Sequence, residues 1–206
     1  PLQLPPLAEG HILIAGETGS GKSTAMRAVL SARQSVVVLD PHSAGNDWNG
    51  AEVIGAGRNF QAISEYMAYM KELLETRYSS RANGNERFPA VTVATDEMPA
   101  IVAAVGKDIE QVWREWLREG RKVGLYFVVS TQSTRVRTLG MQGEGDLLEN
   151  FAGVIVLGQV AQNEYPDLCQ GMERPAVLRT IRGVQPVVIP HIEARPSNGQ
   201  TNGNYQ

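Results

Sequence analysis

Three short stretches of this chain carry residue types that together could do phosphate chemistry. The first is Gly16-Glu17-Thr18-Gly19-Ser20-Gly21-Lys22-Ser23-Thr24, which matches the pattern G-x-x-x-x-G-K-[ST]. Glycines let the main chain turn sharply and bring its N–H groups against phosphate oxygens. A helix starting there would add its unpaired donors and the positive end of its dipole. Lys22 supplies a point charge for the β- and γ-phosphates, and the Ser23 hydroxyl is a ligand type suited to Mg²⁺. All nine residues, 16 to 24, are therefore expected to bind nucleotide, with ATP and Mg²⁺ as cofactors.

The second stretch is Asp96-Glu97, closing the apolar run Ala90–Thr95. Asp96 would hold Mg²⁺, directly or through water, while Glu97 would orient and deprotonate an attacking water. An acidic pair opening a helix is favoured by the dipole in any case, so position beside the loop is what raises its significance. The third is Gln132, after Leu125–Ser130. An uncharged amide can donate to a γ-phosphate and accept from water, and so report whether the terminal phosphate is present.

These residues need elements to hold them. Apolar runs at His11–Ala15, Ser35–Asp40, Ala90–Thr95, Leu125–Ser130 and Val154–Leu157 read as strands, alternating with helical patterns. That alternation predicts an α/β domain with a mainly parallel sheet flanked by helices. A C-terminal β-hairpin, Ala176–Ile181 with Val184–Ile189, is expected on the sheet's edge. Helices are expected from Ala25 to Ala32, from Phe60 to Tyr78, and from Lys107 to Lys122. The stripe Ile63, Tyr66, Met67, Met70, Leu73, Leu74 is read as core. So are Ile109, Val112, Trp113, Trp116 and Leu117. Residues 1–193 are expected to form one domain, followed by a flexible polar tail over 194–206.

Composition narrows the class. With 206 residues, 42% hydrophobic and 20% charged, the chain is an ordinary globular one large enough for a sizeable core. No apolar run approaches the roughly 20 residues that span a bilayer. The single Cys169 has no internal disulfide partner, which fits a reducing, cytoplasmic setting and a buried thiol. The start at Pro1 lacks an initiator Met, which suggests a piece of something longer. Net charge is −3 and the isoelectric point about 5.7, so any contact with DNA must come from local loops or from a ring of subunits.

Taken together, Gly16–Thr24, the strand ending in Asp96-Glu97, and Glu119-Gly120-Arg121-Lys122-Val123-Gly124 leading into Leu125–Gln132 resemble the FtsK–HerA superfamily. These are ring-forming P-loop ATPases that pump DNA. The family's R-x-x-G-h-x-h-h-h-x-T-Q pattern runs here from Arg121 to Gln132. Leu147–Phe151 looks like its following helix-to-strand step, and Asp40-Pro41-His42 like the turn closing its second strand. Ser133-Thr134 intervenes before Arg135, where the family often continues directly with Arg-Pro. The resemblance covers roughly residues 10 to 190. It implies a RecA-like P-loop fold, a hexameric ring, double-stranded DNA as partner, and catalysis by Glu97, Lys22, Gln132 and an arginine acting on the neighbouring subunit's nucleotide. Arg114, Arg118 and Arg121 are the candidates for that arginine, and Arg121 lies inside the matching pattern.

Two basic loops could grip a phosphate backbone: Arg77, Arg81 and Arg87 around Ser79–Asn85, and Arg135 with Arg137 after the glutamine. Arg135 and Arg137 are preferred because they follow Gln132 directly. Two other classes stay open. A small-molecule or nucleoside kinase shares the loop but has no need of a water-activating carboxylate. A slow nucleotide-dependent switch would recruit partners without DNA-stimulated turnover.

Overall fold

The computed structural model describes residues 2–45, 47–106, 108–132, 134 and 145–192. Nine strands form one sheet: β1 (Leu2–Gln3), β2 (His11–Ala15), β3 (Ser35–Leu39), β4 (Glu52–Ile54), β5 (Val91–Thr95), β6 (Leu125–Thr131), β7 (Phe151–Leu157), β8 (Ala176–Thr180) and β9 (Gly183–Val188). Their spatial order is β1-β9-β8-β7-β2-β6-β5-β3-β4. Strands β7 to β4 in that order are parallel, and β8 pairs antiparallel with both β7 and β9. The expected mainly parallel α/β architecture with a C-terminal hairpin is what forms.

The central strand His11-Ile12-Leu13-Ile14-Ala15 is buried throughout, as a strand covered on both faces must be. Its side chains alternate between layers. Leu13 joins Leu39, Val93, Phe127 and Val129 under one set of helices. Ile12 and Ile14 join Val38, Ala94 and Val128 on the opposite face. Helix α1 (Lys22–Leu30) covers that second face with Met26 and Val29, helped by Leu4 and Trp48. The first face is covered by α2 (Phe60–Ala82), α3 (Met98–Val105) and α4 (Asp108–Glu119), with α5 (Gly158–Glu164) beside β7 and α6 (Pro166–Cys169) beside β8 and β9.

Helix α2 starts where the Asn59 side chain accepts the N–H of Ala62 at 3.1 Å, a favoured N-cap. Its Ile63, Met67, Met70 and Leu74 are buried as the spacing predicts. In α4, Trp113 and Trp116 both pack on Phe127, with ring centroids 6.4 Å and 5.0 Å away. Cys169 is buried.

Several expectations need correction. Helix α2 continues to Ala82, so Ser79–Ala82 is helical rather than loop. Arg77 on it is buried and donates to the carbonyls of Pro89 (2.8 Å) and Val123 (2.7 Å). Arg81 donates to the Lys122 carbonyl at 2.6 Å. The same face of the helix that carries the core stripe thus carries these arginines back onto the fold, and Arg77 is a clamp rather than a surface grip. The segment after β5 holds two helices, α3 and α4, with Gly106 at φ 101 ending the first. Glycine tolerates that left-handed φ at no steric cost. The last turn expected for α4 is instead a 3₁₀ turn, Gly120–Val123. The hairpin is not the outermost element, because the two-residue β1 pairs with β9 beyond it. Short β4, too brief to show a period, forms the other edge. Among the described residues no helix is long and apolar enough to cross a membrane. The polar tail expected over 194–206 lies outside the described residues.

Candidate functional site

The carboxyl ends of β2, β5, β6 and β3 meet at one edge of the sheet, where open parallel sheets bind ligands. The residues after β2 make the tight turn that the glycine spacing predicts. Gly16 N–H donates to the Thr131 carbonyl at 3.1 Å, tying the loop to the tip of β6. A Cβ on Gly16 would lie 2.4 Å from Ser20 Oγ and 3.0 Å from Leu157 Cβ, so the loop closes only over glycine. Gly19 and Gly21 have φ of 82° and 94°, in the left-handed region where glycine is at no disadvantage.

Helix α1 makes its first intrahelical bond from Ala25 N–H to the Gly21 carbonyl at 2.9 Å. The amides of Lys22, Ser23 and Thr24 precede that bond and have no partner within the helix. They face the loop with the dipole's positive end behind them, a ready anion cradle. The Lys22 ammonium rests on the carbonyls of Gly16 (2.9 Å) and Glu17 (3.0 Å). These are weak neutral acceptors that a phosphate oxygen can replace.

Ser23 Oγ donates to Asp96 Oδ2 at 3.2 Å across 73 residues of sequence. Ser130 Oγ donates to the other carboxylate oxygen, Oδ1, at 2.5 Å. It also accepts the N–H of Glu97 at 3.2 Å. Ser130 is fully buried in β6, so it couples the acidic pair on β5 to the strand that ends in Gln132. A hydroxyl and a carboxylate this close are hard oxygen donors of the kind Mg²⁺ takes alongside phosphate and water. Among the described residues no group of three His, Cys, Asp or Glu could hold a metal unaided.

Glu97 has φ 56° and ψ 52°, a left-handed conformation that costs a residue with a Cβ about 1–3 kcal/mol. Three constraints sustain it: the Ser130 hydroxyl, Pro99 in the first turn of α3, and the buried Met98 that follows. The strained turn leaves the Glu97 side chain exposed at the edge, where its Oε2 lies 3.7 Å from His42 Nε2. Gln132 is exposed one residue beyond the end of β6, on the same edge.

Glu17, expected only as a loop residue, has a second job. Its Oε1 accepts the N–H of Gln159 at 2.9 Å and its Oε2 that of Val160 at 3.4 Å, capping α5. Burial raises its pKa, but these main-chain donors and Lys22 outweigh that and hold it below the usual carboxylate range. Gly158 leaves the room, since a Cβ there would sit 2.1 Å from Glu17 Oε1. No local signal marks this contact, nor those of Ser130 and His42. Each joins residues far apart in the chain.

Arg121 is not brought to this edge. It sits in the 3₁₀ turn that precedes β6, where its charge is felt by His11 and Tyr126. Seven strand residues at about 3.3 Å each put it roughly 20 Å from Gln132. Arg114 and Arg118 lie on α4, also before β6. Arg135 and Arg137 lie outside the described residues.

Comparison with known proteins bears on the same segments. The family model for the central domain of helicase HerA matches residues 1–49, which hold β2, the glycine loop, α1 and β3. A DNA translocase FtsK from Helicobacter pylori is 27% identical over 155 residues, covering 61% of this chain and 18% of its own length. In these segments the chain is similar to P-loop ATPases of the FtsK/HerA type. It spans about a fifth of the length of the curated FtsK relatives it matches. Two solved structures share the fold. The pCW3 conjugation coupling protein TcpA, with ATPγS, superposes at TM-score 0.70 with 18% identity over 90% of this chain and 61% of its own. The cytoplasmic domain of the Type VII secretion ATPase EccC from Thermomonospora curvata does so at 0.62 with 15% identity, over 90% and 24%. The matched segment at residues 1–49 contains the whole of the cradle at Gly16–Thr24.

Proposed function

We propose that this domain hydrolyses ATP with Mg²⁺ and uses the energy to move double-stranded DNA through a hexameric ring. The observation that carries the reading is the Ser23–Asp96–Ser130–Glu97 chain of contacts. It joins the phosphate loop, a metal-type carboxylate and a second carboxylate at one sheet edge. In this reading the amides of residues 16–24 and the Lys22 ammonium bind the triphosphate. Ser23 and Asp96 would hold Mg²⁺, which when bound would supply charge neutralisation to the nucleotide phosphates. Glu97 takes a proton from the attacking water, and Gln132 senses the γ-phosphate.

Arg121, at the far end of the sheet, serves its neighbour's nucleotide rather than its own. The distance that removes it from the local site is what a residue acting between subunits requires. Arg135 and Arg137 follow the sensing strand and contact the DNA backbone, so binding is expected to weaken steeply with salt. The matching FtsK proteins are DNA translocases by name, which favours DNA over other cargo for this chain. The setting is cytoplasmic, as it is for the EccC domain that shares the fold.

A kinase would need no carboxylate in the place of Glu97, and phosphate transfer to a nucleoside or sugar would support that alternative. The deciding experiment is ATP hydrolysis and particle mass measured together, with and without duplex DNA. Hydrolysis stimulated by duplex, within a particle of six chains, is the expected result, and Lys22→Ala abolishes it. Turnover indifferent to DNA in an assembled ring would overturn the motor in favour of a switch.

A further inference from the structure

We propose that His42 is a positioning residue that holds Glu97 in a resting orientation, turned away from the phosphate loop, and so restrains ATP hydrolysis. The proposal rests on the reading of Glu97 as the group that activates water. Strand order supplies the geometry. β5, which carries Glu97, lies between β6 and β3. The phosphate loop follows β2, on the far side of β6, whereas His42 follows β3 on the opposite flank. A carboxylate drawn to His42 Nε2 at 3.7 Å is drawn toward β3, and a carboxylate facing a γ-phosphate must point toward β2. One side chain cannot do both.

The imidazole is carried by a built turn. Asp40, only 7% exposed, accepts the His42 N–H through Oδ1 and the Trp48 indole N–H through Oδ2, both at 2.9 Å. Pro41 C=O accepts the Arg58 N–H at 2.8 Å, so the turn is tied down ahead of His42 as well. Glu97, by contrast, is anchored at its main chain only. Ser130 Oγ holds its N–H, and among the described residues His42 is the ion-pair partner of the carboxylate. A fixed main chain with a carboxylate that can swing between two flanks is a two-position element.

The restraint is weak by design of its surroundings. Both side chains are about half exposed, and a pair so exposed biases an equilibrium by only about two- to fivefold. Occupancy of the γ-phosphate site can overcome that.

The test is steady-state ATP hydrolysis by the full chain without DNA. His42→Ala is expected to raise kcat about two- to fivefold and leave KM for ATP unchanged, since the recorded partners of His42 are Asp40 and Glu97 rather than residues of the loop. His42→Gln places an N–H donor at similar reach and is expected to return kcat toward wild type. His42→Ala added to Glu97→Gln is expected to change nothing. A kcat at or below wild type in His42→Ala, with Glu97→Gln inactive, overturns the role of His42 alone. A rise that His42→Gln fails to reverse overturns it too, because loosening of the turn then explains the gain. Wild-type turnover in Glu97→Gln overturns the reading of Glu97 and this proposal with it.

Discussion

The two edges of the sheet use the same chemistry, cations against main-chain carbonyls, to opposite ends. At the amino edge, Arg33 is 8% exposed and donates to the carbonyls of Leu7 (2.6 Å), Gly10 (2.9 Å) and Glu9 (3.4 Å), and to Thr92 Oγ1 (3.4 Å). Its face also lies 5.6 Å over the Tyr126 ring. Arg77 does likewise for Pro89 and Val123. At the carboxyl edge, Lys22 meets only two carbonyls and remains part-exposed, while Glu97 reaches a single weak partner. Saturated, buried donors lock a structure; undersaturated, half-exposed ones can be exchanged for a ligand. The difference marks which edge is built to move.

The sharpest way to break that contrast is at Glu97. Glu97→Gln keeps the shape and removes the basic oxygen, so hydrolysis is expected to fall by about 10²–10⁴-fold while ATP affinity, read by a fluorescent analogue, stays near wild type. Equal losses in both would mean that Glu97 binds rather than activates. At the opposite edge, Arg33→Met should leave three carbonyls without their donor. Urea unfolding is expected to register a loss of about 3 kcal/mol, with nucleotide affinity little changed. A loss of affinity without a loss of stability would erase the distinction between locked and exchangeable edges.

The smallest effect concerns His11, buried at the start of β2 with Nδ1 accepting the Phe127 N–H at 2.9 Å. Burial, then Arg121 and Arg33, depress its pKa from 6.5 to about 3. The unfolded chain takes up a proton near pH 6.5 that the fold refuses until about pH 3. Its contribution is therefore complete above pH 6.5 and is lost as pH falls from there toward 3. Between pH 7 and 4.5 the loss is expected to be about 2–3 kcal/mol. It should be smaller in His11→Gln, measured by denaturant unfolding at both values.

Local patterns carried much of this molecule into view. The strand, glycine turn and helix at residues 11–30 were legible because each feature depends on neighbours a few positions away. The same holds for the α2 and α4 stripes, whose 3.6-residue period reports a single buried face. Edge strands β1 and β4 were not legible, since two or three residues are too few to show a period. The extent of α2 was missed because Ser79–Ala82 has loop-like composition, yet Arg81 anchored on the Lys122 carbonyl extends the helix.

For the candidate site, sequence alone determined which groups could bind phosphate and which carboxylates stood at a strand's end. These are properties of residue type and spacing. Tertiary structure decided the rest: that Ser130 bridges Asp96 and Glu97, that Glu17 caps α5, that Arg121 stands at the far edge, and that His42 faces Glu97. Those contacts depend on strand order. Strand order follows from how nonpolar faces pack across the whole sheet, information that no short window of residues contains.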